Sequence, residues 1–252
     1  MKRWFILATG LVLAQSTLAF DWNGALKDAL DKAGGQSVGT ATAPGVDALS
    51  SADINAGLKE ALTRGADTAV AQLGVKDGFY GNPALKIPLP DNLQKASKAM
   101  RMLGMGAQAD ELVLAMNRAA EAAVPQAKPL LVDAVKGMTL EDAKGILTGG
   151  PTSATDFFRK KTEAQLTERF TPIVKATTDK VGLAQQYNRF GETAAQFNLV
   201  DKSQASVEQY VTQQSLDRLY RLIGEKEQAI RANPMQAGSD LLKQVFGAAS
   251  RK

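Results

Sequence analysis

The chain has 252 residues, carries 30 Lys and Arg against 26 Asp and Glu, and contains neither histidine nor cysteine. The missing histidine excludes a Ser-His-Asp triad, an imidazole acid or base and any His metal ligand; the missing cysteine excludes a thiol nucleophile, a disulfide, Cys-ligated zinc and an acylated lipoprotein anchor. At 44% hydrophobic and 22% charged residues the chain can bury a core, and its 6% aromatic content leaves Ala and Leu to dominate the apolar set, a helix-forming bias.

The first nineteen residues read as a secretory signal: Lys2 and Arg3, an almost continuous apolar run from Trp4 to Leu13, then Thr17 and Ala19 at the small-residue positions, with cleavage expected between Ala19 and Phe20. The run is shorter than the roughly 20 residues that span a bilayer, and nothing later is apolar enough to do so. The expected location is periplasmic. The net charge of +4 falls by the two basic residues of the signal and no acidic ones, which leaves +2. Basic residues mix with acidic ones, as in Arg159-Lys160-Lys161 followed by Glu163 and Glu168, so nucleic acid is not an expected partner.

Asp21–Ala33 is predicted as a short amphipathic helix with Trp22, Leu26 and Leu30 at four-residue spacing, followed by a Gly-, Ser-, Thr- and Ala-rich linker over Gly34–Asp47. Residues 20–49 thus precede a domain over 50–247, with 248–252 as a tail. Ser50 and Asp53 form a capping box for a helix whose stripe is Ile54, Leu58, Ala61, Leu62, Ala69 and Leu73, and Gly74 stops it. In the following loop Pro88 and Pro90 hold Leu85–Leu89 extended, suited at most to a short edge strand. Asp91 caps a helix through Leu103, Gly104 and Gly106 break it, and a long helix over Ala107–Lys136 is expected to kink or divide at Pro125 and Pro129. Thr139 with Asp142 opens a helix ending near Leu147, Gly149-Gly150-Pro151 turns the chain, and Ser153 with Asp156 starts the next, carrying Phe157, Phe158, Leu166 and Phe170. Thr171-Pro172 reads as a new helix start, and Leu183–Phe197, Val207–Arg231 and Ser239–Phe246 complete an all-α, multi-helix bundle with a Pro-kinked long helix and one extended Pro-rich loop. There is no repeat of solenoid period.

Segments from one end of this domain to the other carry a resemblance: Gly57-Leu58-Lys59-Glu60-Ala61-Leu62, Asp77-Gly78-Phe79, Lys86-Ile87-Pro88-Leu89-Pro90, Asn117-Arg118-Ala119-Ala120-Glu121-Ala122-Ala123, Met138 to Leu147, Phe170-Thr171-Pro172-Ile173-Val174, then Glu227, Ile230, Arg231, Asn233-Pro234 and Leu242 to Gly247. Across about Ser50 to Gly247 the chain resembles a family of exported bacterial proteins known as a domain of unknown function, number 4197. The resemblance implies a helical periplasmic domain and supplies no activity. Phe157-Phe158 and Gly191 are its weaker points.

Five features bear on function, each with a structural reading beside it. Gly104-Met105-Gly106-Ala107-Gln108-Ala109 fits a loosened dinucleotide fingerprint but follows a helix where the mechanism needs a strand, so a helix–helix turn is expected. Thr148 to Thr155 could hold an anion: the helix start offers free N–H groups, Thr152, Ser153 and Thr155 add hydroxyls, and Arg159 and Lys160 lie one turn on; an ordinary capped start is the alternative. Asn117, Arg118 and Glu121 make a polar cluster on an Ala-rich helix: either Glu121 is an acid or base held by Arg118 or Lys128, or the cluster is a network joining elements. Phe79, Tyr80, Ile87 and Leu89 either line a groove or fold a loop onto the core. Met100, Met102, Met105 and Met116 suit an adaptable pocket or core filling.

The expected function is therefore a non-catalytic binding or scaffold protein of the cell envelope. A carrier of a small apolar or amphiphilic ligand stands second, and a hydrolase pairing Glu121 with Asp133 or Asp142 third. No cofactor and no metal is expected; the expected partner is an envelope protein or a small amphiphile, with peripheral membrane contact through the Trp22 helix.

Overall fold

A computed structural model describes residues 51–102, 104, 106–196 and 205–233. The signal, the Asp21–Ala33 helix, the linker, the Ser50 cap, Leu103, Met105, the Ser239–Phe246 helix and the tail lie outside the described residues. The described residues form α1 (Ser51–Leu73), α2 (Asp91–Met102), α3 (Gly106–Ala123), a 3-10 turn (Val124–Gln126), α4 (Ala127–Lys136), α5 (Leu140–Thr148), α6 (Ser153–Thr178), α7 (Gly182–Gln196) and α8 (Val207–Ala232). The fold is all-α, and no strand occurs among the described residues.

The predicted stripe of α1 is its buried face: Leu58, Ala61, Leu62, Ala69 and Leu73 all enter the core. The long helix does divide. Pro125 sits in the 3-10 turn between α3 and α4. Pro129 falls in the first turn of α4, where a backbone N–H has no intrahelical partner to lose. Thr139 and Asp142 form the predicted capping box: each side chain accepts from the other's backbone N–H. Those N–H and O–H donors, the Thr139 backbone first, hold the Asp142 carboxyl below its usual range.

Two expectations are corrected. Thr171-Pro172 does not begin a helix, because α6 runs through it to Thr178. Proline inside a helix costs about 3 kcal/mol. Leu166, Phe170, Val174 and Thr178, one per turn and fully buried, form a single stripe across the proline, and burying each large apolar side chain returns about 1.5–3 kcal/mol. Leu85–Leu89 forms no edge strand: Leu85 closes a turn, the N–H groups of Leu85 and Lys86 both donating to the Asn82 carbonyl at 3.0 and 2.8 Å. It lies against a helix, and the polar groups of Ile87 are met by the side chain of Asn117.

The two 26-residue helices α6 and α8 make the most extensive contact among the described residues, with α3 against α6 and α1 against α4 and α8. Tyr220 lies in the α6–α8 seam, its hydroxyl 2.8 Å from that of Thr162 and its ring 4.5 Å from the Arg159 guanidinium. Burial pushes its phenol up to about 12. At Gly224 of α8 a Cβ would stand 3.3 Å from the Thr155 hydroxyl, so the glycine is what lets α8 approach the start of α6.

Candidate functional site

Two buried polar centres dominate the described residues, and each is organised by a glutamate. The first joins α3 to the loop over residues 74–90. Asn117 Oδ1 accepts from the Ile87 N–H at 2.8 Å, while its Nδ2 donates to the Ile87 carbonyl at 2.9 Å and to the Val113 carbonyl at 2.7 Å. A side-chain amide thus supplies both bonds that a neighbouring strand would have supplied. One turn on, Glu121 Oε1 accepts from the N–H groups of Phe79 and Tyr80, both at 3.1 Å. Arg118 donates to Glu121 Oε2 at 2.6 Å and to Asp77 Oδ1 at 2.7 Å, and both acids hold its guanidinium more basic than usual, Glu121 first.

Asp77 occupies the left-handed region (φ 68°), and a Cβ on Gly78 would lie 2.5 Å from the Leu73 carbonyl oxygen, so the chain doubles back tightly here. From the other side Arg218 donates to the Lys86 carbonyl at 3.1 Å and Arg221 donates to that of Ala84. Lys86 Nζ lies 4.0 Å from the centre of the Tyr80 ring. Phe79 and Ile87 are fully buried beneath this strap. The cluster therefore joins a loop to a helix, and Lys128, suggested as a holder of Glu121, pairs instead with Asp67 of α1 at 3.1 Å.

The second centre is the start of α6. The N-cap Thr152 makes no side-chain cap bond, and its hydroxyl turns to Asp156. The N–H groups of Ala154 and Thr155 donate to the two carboxylate oxygens of Glu227, both at 2.9 Å, and the Thr155 hydroxyl adds a third bond at 2.8 Å. Arg231, one turn further along α8, donates to Glu227 Oε1 through Nε at 3.0 Å and Nη2 at 2.7 Å, and also reaches Ser153 Oγ and the Ile146 carbonyl. The anion expected at this helix start is thus a carboxylate of the chain itself, 72 residues away from Thr155. Arg159 points elsewhere, to Glu163 at 2.8 Å and Asp217 at 3.1 Å.

The composition of the helix start was legible as an anion site. Its occupant was not, because Glu227 and Arg231 at four-residue spacing look like any solvated ion pair of a helix. Of the methionines, Met116 is core and Met102 is 87% exposed, so these two do not share a site; Met105 and the side chain of Met100 lie outside the described residues. The carboxylates named for catalysis hold separate contacts, Asp133 on the exposed surface beside Lys136 and Asp142 in its cap. Among the described residues there is no group of three or more acidic side chains fit to hold a metal ion. The Gly104 turn joins two helices as expected, with Gly104 at φ 76°.

Beside the second centre α1, α6 and α8 leave a small cleft, about 30 Å³, whose floor includes Leu62, Phe158, Ile223 and Ile230. Lys226, Glu227 and Arg231 stand along it.

Fold and site together define a helical domain in which acidic and amide side chains brace loops and helix ends. The family described as "Protein of unknown function (DUF4197)" matches residues 48–247, and the chain belongs to it. No curated protein and no solved structure matches the chain.

Proposed function

We propose that the chain is exported to the periplasm, with cleavage between Ala19 and Phe20, and acts there as a non-catalytic binding or scaffold protein of the cell envelope. The signal-like first nineteen residues support the address. The role rests on one observation: the buried glutamates Glu121, Glu208 and Glu227 are each spent on bracing the fold. Glu121 ties down the 74–90 strap, Glu208 accepts both its bonds from the Asn188 amide, and Glu227 closes the start of α6. A general acid or base needs a free proton site within reach of substrate. What these glutamates maintain is a rigid surface, the property a binding partner or scaffold requires. The carrier reading gains nothing comparable among the described residues, since the exposed Met102 and the core Met116 share no site and the α1–α6–α8 cleft is far smaller than the pockets that enclose drug-sized ligands.

The test is cell fractionation with intact-mass measurement, followed by chemical crosslinking in living cells. The expected result is a processed chain beginning at Phe20 in the periplasmic fraction and a reproducible crosslink to one envelope component. A chain retaining its first nineteen residues in the cytoplasm would overturn the address. Free monomer alone after crosslinking would overturn the role, as would turnover of ester or phosphoester substrates abolished by Glu121→Gln.

A further inference from the structure

We draw no further inference here: the strongest candidate, the half-buried side chain of Arg218 in the seam between α8 and the 74–90 strap, carries none, because its terminal nitrogens are already bonded to Gln214 and to the Lys86 carbonyl, its unpaired Nε is sealed from solvent, and nothing in the structure shows a ligand reaching it.

Discussion

Replacing Glu227 by alanine removes at one stroke the acceptor for the Ala154 and Thr155 N–H groups, the partner of the Thr155 hydroxyl and the counter-charge of Arg231. With Glu227 7% exposed and Arg231 16% exposed, the pair is effectively buried. Breaking such a pair by deleting one partner costs about 3–5 kcal/mol. Helix-end donors left without a partner push toward the upper end of that range, although water entering the space vacated offsets part of it. In a domain of this size 1 kcal/mol moves the midpoint by about 2–4 °C, so a fall of about 10 °C or more is expected. Glu227→Gln keeps one acceptor oxygen but loses the charge, and should cost roughly half as much. Urea titration followed by circular dichroism measures both variants, and a double-mutant cycle with Arg231→Ala isolates the pair. The cycle should show strong coupling, because the Arg231 charge is the group left stranded. Acetate should raise the midpoint of Glu227→Ala and leave wild type unchanged, as the emptied helix start accepts an external carboxylate. A loss under 1 kcal/mol, additive with Arg231→Ala, would refute the view that Glu227 closes this helix end.

Asn117→Ala leaves the buried N–H and carbonyl of Ile87 without partners and should cost about 2–4 kcal/mol; hydrogen exchange should show the Ile87 amide losing protection while α6 and α8 keep theirs. Gly65 of α1 and Gly224 of α8 should respond to alanine with opposite signs. Gly65→Ala, in open space, stabilises by about 0.5–1 kcal/mol, whereas Gly224→Ala meets Thr155 and destabilises, which thermal melts of the two variants will compare directly. Tyr220 supplies a pH signature. Its phenol ionises at 10.0 when free and is pushed up to about 12 in the fold, so its contribution is complete below pH 10 and disappears as pH rises toward 12. Tyr220→Phe should flatten that part of the stability profile and cost about 0.5–1.5 kcal/mol at neutral pH for the lost Thr162 bond. Asp142, held below its usual range, works in the reverse sense: the α5 cap is intact above the carboxylate range and fails as acid protonates it. Thr139→Ala should cost about 1 kcal/mol and blunt that acid sensitivity in a pH series of melts.

Signals carried within one helical turn were readable in advance. The α1 stripe, the Thr139–Asp142 box and the break at Pro125 depend on φ restraint, on side chains that repeat every turn, or on residues three apart. Pro172 marks where that local logic stops. Its missing N–H says "helix start", and only the buried partners of Leu166, Phe170 and Val174 carry the helix through it. The same division runs through the site. Asn117, Arg118 and Glu121 announced a polar cluster, and Thr152 to Thr155 announced an anion, because those residue types expose bonding groups at known places on a helix. Packing chose the occupants: the Ile87 peptide for Asn117, the Phe79 and Tyr80 amides for Glu121, and Glu227 for the start of α6. These partners stand 30 to 73 residues apart in the chain, beyond any spacing rule. Glu227 meets its donors because two 26-residue helices, brought close at Gly224, place one carboxylate under two unpaired N–H groups.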